Sequence, residues 1–427
     1  MPKISEKTLC ADTFVKTLVH EFSKIHEPRH FAGNVKISLQ DCLSAGFAIF
    51  SLKWPSLLRY EHERKAPKTL ENLKNLYYIK NPPSDTYLRE RLDALEPSSL
   101  RPCFKKIFSL LQRRKALESF QFIDGYYLVS LDGTGLFSSN NVHCANCCEK
   151  HHFVGTTTYY HQMLGVVMLH PEHREVIPLC PECIQKQDGI NKNDCEQRAS
   201  KRLLMNLRRE HPHLKIMLVE DALSANAPHI RLLQSLGMRF LIVAKGHYEY
   251  LKQQELLTYE FLDKSGTKHQ YRFINGIPLN GLAPDIKVNY FEHTETNVRG
   301  KKKYCAWITD VKISSDNVHQ LMRGGRSRWK IENETFNTLK NQGYHFEHNF
   351  GHGYENLCSI MTLLMMLAFL IDQAQLLTYD TFLRARTKAR TFYALWEDMR
   401  ALFRYVRLFS WDQFLESIAQ GEILDTS

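Results

Sequence analysis

The stretch between residues 125 and 244 constrains the fold most. Apolar, aromatic and β-branched runs at 125–132, 156–169 and 175–179 read as strands. His170-Pro-Glu-His173 makes the turn between the second and third. Residues 194–210 read as a helix, with Asp194 as N-cap and Pro212 just past its end. Residues 214–221 form a fourth strand. Residues 226–236 form a helix closed by Gly237 in the left-handed region, and 238–244 a fifth strand. The order β-β-β-α-β-α-β describes three antiparallel strands followed by strand–helix alternation. That is the α/β class, a mixed sheet with helices packed on it.

The flanks differ. Residues 1–120 read as mostly helical, with loops at Ala66-Pro67 and at residues 81–85. Residues 247–305 are rich in Tyr, Phe and Thr with polar alternation, which predicts a β-rich insertion. A strand at 304–311 and a long helix at 318–341, ended by Gly343, follow. Residues 357–371 are apolar apart from Ser359 and Thr362, too short for a bilayer span of about 20 residues. They predict a buried core helix and no membrane role. The expected division is an N-terminal helical region (1–120), a core in two parts (121–246 and 306–372), the insertion (247–305) and a C-terminal helical region (373–427).

A hydrophobic content of 43% supports a substantial core and excludes wholesale disorder. The formal net charge is +10, and residues 1–120 carry 21 Lys and Arg against 13 Asp and Glu. Such a segment suits nucleic acid, an anionic membrane or plain solvent. The start of the chain lacks the apolar stretch of a targeting signal. With 11 cysteines, an odd number without regular spacing, this predicts a reducing, cytoplasmic compartment.

Three carboxylates carry the chemistry. Asp132 lies on the first strand, before Gly-Thr-Gly, and Asp221 ends the fourth. If those strands are parallel neighbours, the two groups approach one another. A carboxylate in an apolar strand costs several kcal/mol unless it has a partner, and a divalent cation is one. Glu332 shares a helix face with Arg328 and Phe336, at i, i+4 and i+8 from Arg328. Taken singly, each is a helix cap, a loop hydrogen-bonder or half of an ion pair. Glu220, Asp310 and Glu334 are nearby alternatives; Glu220 and Glu334 should point elsewhere.

Leu-Asp132-Gly-Thr-Gly, Val-Glu-Asp221, the β-rich insertion and Arg328-Trp-Lys-Ile-Glu332 together resemble a DDE transposase of the bacterial "insertion sequence four" type. The resemblance covers roughly residues 120–372. It implies a ribonuclease-H-like core interrupted by the insertion, with Asp132, Asp221 and Glu332 as catalytic and metal-binding triad. It also implies two Mg²⁺ ions, for which Mn²⁺ substitutes, and cutting of transposon ends with joining to target DNA. The partner would be DNA, bound by a homodimer, in a bacterial cytoplasm and associated with the nucleoid. The family has a Tyr where this chain has Gly325, and a Lys where it has Leu339, with Lys340 one step late. A nuclease that does not join strands and a non-catalytic zinc-containing DNA-binding protein are the alternatives.

DNA would be held by Lys and Arg on phosphate. Arg323, Arg326 and Arg328 flank the triad Glu. Lys340, Arg89 and Arg91 are further candidates, as are Lys105, Lys106, Arg113, Arg114 and Lys115, and Arg299 to Lys303 in the insertion. Arg-rich, aromatic residues 382–411 read as core or subunit contact. Cys144-Ala-Asn-Cys147 and Cys180-Pro-Glu-Cys183 are two C-x₂-C pairs, 32 residues apart. In an antiparallel three-strand meander the two pairs fall at one end of the sheet. They predict a structural Zn²⁺ held by Cys144, Cys147, Cys180 and Cys183, with His143, His151 and His152 in reserve. His345, His348 and His352 read as loop hydrogen-bonders.

Overall fold

A computed structural model describes residues 9–28, 35–186, 195–244, 251 and 255–423. Before the sheet come α1 (Ala11–Phe22), α2 (Leu39–Ser51), α3 (Leu57–Glu63), α4 (Pro67–Tyr77), α5 (Asp85–Asp93) and α6 (Arg101–Arg113). Serine side chains start three of these: Ser38, Ser56 and Ser84 each accept from the backbone N–H three residues on.

The sheet is mixed and has eleven strands. The first five are β1 (Tyr127–Ser139), β2 (Cys148–His151), β3 (Thr157–Leu169), β4 (Ile177–Pro178) and β5 (Glu182–Ile184). After α7 (Glu196–Glu210) come β6 (Ile216–Glu220), α8 (Ala227–Ser235) and β7 (Arg239–Val243). Then follow β8 (Leu257–Leu262), β9 (Lys268–Asn280), β10 (Ala283–Thr296) and β11 (Lys302–Thr309). The spatial order is β2-β3-β1-β6-β7-β11-β10-β9-β8, with β4 and β5 also on β3. β1 pairs with β6 and β6 with β7 in parallel; the other ladders are antiparallel. β6 is buried along its whole length, as its unbroken apolar run requires of a strand covered on both faces.

The sequence-based strands lie near where expected, with three differences. β1 runs on to Ser139, seven residues past the expected end at Asp132. The strand expected at 175–179 shortens to β4, and β5 follows as a separate strand beyond it, because Pro178 and Pro181 lack the N–H a continuous ladder needs. β2 was not anticipated. Asp194, the expected cap of α7, lies outside the described residues, and Cys195 occupies the cap position. The insertion strands do not form a layer of their own. Through β11 on β7 they continue the main sheet.

The long helix expected at 318–341 is broken. It consists of α9 (Val318–Arg326), a 3₁₀ turn (Ser327–Trp329), a π-helical turn (Ile331–Phe336) and α10 (Asn337–Asn341). A π-turn widens the backbone by one residue and is frequent at functional sites. This one contains Glu332.

The chain ends in α11 (Leu357–Thr378), α12 (Asp380–Ala389), α13 (Phe392–Tyr405) and α14 (Trp411–Gln420). α11 is the expected core helix: it is long and apolar enough for a membrane, yet 94% of its most apolar window is buried inside the fold. α2 crosses it closely at Gly46, where a Cβ would lie 2.7 Å from Leu364 Cδ1. Lys53, wholly buried, pairs with Asp372 of α11, which also accepts from Tyr344 Oη at 2.6 Å. Asn72 of α4 donates to the carbonyls of Phe403 and Val406 and accepts from Leu408 N–H. The first and last helices thus share one core with the sheet.

Candidate functional site

The parallel register between β1 and β6 sets Ser130 beside Val219. Two residues further along stand Asp132, within β1 just past the end of its parallel pairing with β6, and Asp221, immediately after the carboxyl end of β6. In open α/β sheets that edge is where ligands bind. Asp132 accepts from Gly133 N–H at 2.9 Å, and Asp221 accepts from Leu223 N–H at 3.0 Å as the cap of the short helical turn after β6.

The π-turn brings Glu332 to the same edge, with Arg328 between the acids. Arg328 Nη1 lies 3.4 Å from Asp132 Oδ2, and Nη2 lies 2.5 Å from Glu332 Oε1. Burial pushes the Asp132 carboxyl above its ordinary range. Arg328 and the Gly133 N–H oppose that, and the negative charges of Glu332 and Asp221 add to it. Asp132 thus feels both other acids, while the Arg328 guanidinium offsets them. The oxygens of the three acids do not form a group within 4.8 Å, a spacing met among the described residues only by a Cys and His cluster.

Two anchors fix the π-turn on the sheet. Lys330 is buried, and its ammonium donates to the carbonyls of His170 at 2.7 Å, Pro171 at 3.3 Å and His173. Phe336 lies over Gly165 of β3, the residue paired with Asp132; a Cβ there would sit 2.8 Å from the ring. Gly165→Val is accordingly expected to displace Phe336 and cost about 1–3 kcal/mol by overpacking. The shift would appear in the urea midpoint, and any activity dependent on Glu332 should fall more than stability alone explains.

The rival acids have other partners. Glu220 is buried against His229 Nε2 at 2.7 Å. Asp310 accepts from Phe240 N–H at 3.2 Å, and Glu334 pairs with Arg174 at 3.4 Å. A fourth acid escaped the sequence reading. Glu196, at the start of α7, lies over Gly133, where a Cβ would be 2.3 Å from Glu196 Oε1. The absence of a side chain beside Asp132 was the available signal. At Gly325 a Cβ would meet Trp307 Nε1 at 2.4 Å, so the β11 indole fills that space.

The basic candidates separate into groups. Arg323 pairs with Glu172, Arg326 with Glu295 at 2.6 Å, Lys340 with Glu347 at 3.0 Å and Arg89 with Asp85 at 3.0 Å. Arg91 does not fit its expected role. It is 1% exposed and pairs with Glu27, because its helix turns that face inward. Lys105, Lys106, Arg113 and Arg114 are exposed on α6, as are Arg299, Lys301 and Lys302 at the β10–β11 turn. The C-terminal arginines are mostly structural; Arg404 pairs with Glu63 and Arg400 donates to the Lys53 carbonyl.

The two cysteine pairs do not close on each other. Cys144, Cys147, His161 and His352 form the compact group instead. Cys180 is buried under the charges of Arg101 and Glu210, and Cys183 lies against Ser359 at the start of α11. Burial pushes the Cys183 thiol up to about 11. The expected four-cysteine site is therefore corrected. β5 pairs with β3 at residues 162–164, and although Lys186 N–H reaches the Asn146 carbonyl, Cys180 and Cys183 are not in the compact group.

No protein-family model matches this chain, and no curated protein matches it. Among solved structures, the chain is similar to a cryo-EM structure of a piggyBac transposase synaptic complex with hairpin DNA. The similarity covers 97% of this chain and 80% of that chain, at 11% sequence identity and a TM-score of 0.37.

Proposed function

We propose that the chain is a DNA transposase with a ribonuclease-H-like core that cuts element ends and joins the freed 3′-hydroxyls to target DNA. The observation that supports this reading is Arg328 bridging Asp132 of β1 and Glu332 of the π-turn, with Asp221 after the adjacent parallel strand β6. Three hard oxygen donors with one nearby cation suit Mg²⁺ or Mn²⁺ in place of further protein charge. Asp132, Asp221 and Glu332 would hold the metal, and when bound two such ions supply charge neutralisation at the phosphate and activation of the attacking oxygen.

The residues of the chain then have distinct work. Asp132 is held on a rigid strand. Glu332 is carried by a turn that Lys330 and Phe336 lock to β3, so the acids keep their spacing while DNA enters. Among the described residues the hydrogen bonds of the Arg328 guanidinium go to Asp132 and Glu332, and it would turn to a phosphate oxygen once they are otherwise neutralised. Arg323, Arg326 and Lys340 lie on the same helical segment and would position the backbone. Exposed α6 and the β10–β11 turn would extend that track. The attacking oxygen, first of water and then of the 3′-hydroxyl, displaces a bridging oxygen of the phosphodiester, and no covalent protein intermediate is required.

The test incubates the full chain with linear DNA carrying the sequences that flank its gene, plus a target plasmid and Mg²⁺. Nicked ends joined to the plasmid, abolished by EDTA, are the expected result. Cleavage without joining would leave a nuclease, and binding without either step would leave a DNA-binding protein.

A further inference from the structure

We propose that Cys144, Cys147, His161 and His352 form a structural Zn²⁺ site that clasps the β1–β2 loop and β3 to the segment entering α11. This goes beyond the strand-transfer reading and does not depend on it.

The four ligand atoms come from three places in the chain. Cys144 and Cys147 lie in the β1–β2 loop, His161 on β3, and His352 between Gly351 and Gly353 ahead of α11. All four residues are buried, and their ligand atoms lie within 4.8 Å of one another. The two sulfurs are 3.8 Å apart, too far for a disulfide of about 2.05 Å. His161 Nε2 is 3.2 Å from Cys144 Sγ and 3.4 Å from Cys147 Sγ; His352 Nε2 is 3.2 Å from Cys147 Sγ. A tetrahedron with sulfurs about 2.3 Å and nitrogens about 2.0 Å from zinc has S···S edges of about 3.8 Å and S···N edges of about 3.5 Å. The observed distances approach those edges with no rearrangement of the backbone.

The donor chemistry selects the metal. Two thiolates and two imidazoles suit zinc, whereas magnesium and calcium need oxygen. Cys144 N–H points at Cys147 Sγ at 3.4 Å, a contact that stabilises a thiolate. With four protein ligands the site is closed, which marks a structural rather than a catalytic zinc.

The surroundings are built to bring the segments together. Ala145 N–H donates to the Tyr354 carbonyl at 3.1 Å, and Asn146 Nδ2 donates to the Glu355 carbonyl and to Asn356 Oδ1, each at 3.0 Å. The Phe137 ring of β1 packs on the His352 imidazole at 4.4 Å. Gly351 and Gly353 both have positive φ, a conformation that lets the loop turn His352 inward.

The test is metal analysis of the full chain purified without chelator, with X-ray absorption at the zinc edge. About one zinc per chain, with two sulfur and two nitrogen neighbours, is expected. A chain free of zinc after growth in zinc-replete medium, or a shell of four sulfurs, would overturn the proposal. Cys144→Ser with Cys147→Ser should reduce zinc at least tenfold, whereas Cys180→Ser with Cys183→Ser should leave it unchanged. The reverse pattern also rejects it. Because the absorption spectrum reads the ligands in the native chain, failure of a variant to fold does not block the answer.

Discussion

Asp132→Ala is expected to lower DNA end cleavage and joining about 10³-fold or more, with folding and DNA binding largely intact. A lost metal ligand removes several kcal/mol of charge stabilisation, and about 4 kcal/mol is a factor of 10³. Folding should survive because Asp132 is half-buried and its protein contacts are the Gly133 N–H and Arg328. Asp221→Asn and Glu332→Gln should behave alike, since they keep shape and remove charge. Gel assays of end-labelled DNA measure the two steps, and a binding assay on the same DNA separates catalysis from recognition. Strand joining at the wild-type rate in any of the three would remove that residue from the proposed triad. DNA affinity of each variant should still fall steeply with salt, as expected for a chain with a net charge of +10.

Lys53→Met should be the most damaging single change to stability, by about 3–5 kcal/mol, because it strands the Asp372 carboxylate in the core. Lys53 sits over the rings of Trp396, at 4.0 Å, and Tyr344, at 4.6 Å, so it also loses two cation–π contacts. Lys53→Met with Asp372→Asn should regain much of the loss, since the amide carbonyl still accepts from Tyr344. The pH dependence distinguishes this cause from simple cavity formation. Burial raises the Asp372 pKa, and without Lys53 only the Tyr344 hydroxyl opposes that rise. A group with a raised folded pKa keeps its stability contribution below the unfolded value of about 3.9 and loses it as pH rises. The gap between Lys53→Met and wild type should therefore widen from pH 4 to pH 7 in urea denaturation. A gap independent of pH would count against the stranded charge.

Much of the site's scaffold was legible because its signals are local. A fixed offset between two strands relates Ser130 to Val219, and the same offset relates Asp132 to Asp221. Apolar runs marked β1, β6 and β7, since they are too short for a buried helix and rich in β-branched and aromatic residues. The remainder depends on distant partners. His161 and His352 carry no spacing signal, because they approach Cys144 and Cys147 only after β3 and the loop before α11 have been placed. Arg91 looked like surface charge because nothing nearby in sequence reveals Glu27 beneath it. The π-turn at Glu332 was hidden for the same reason: Lys330 and Phe336 find their anchors in β3 and the turn that follows it. Trp307 explains Gly325, but only after β11 lies against α9.

The interlocking of the first and last helices has a consequence in time. Asn72 cannot satisfy its amide until the carbonyls of Phe403 and Val406 exist, and Trp411 seals the same region through the Leu76 carbonyl. At about 5–20 residues per second, roughly 15 s to a minute separates synthesis of those partners. Through that interval the early helices leave the ribosome with their apolar faces uncovered.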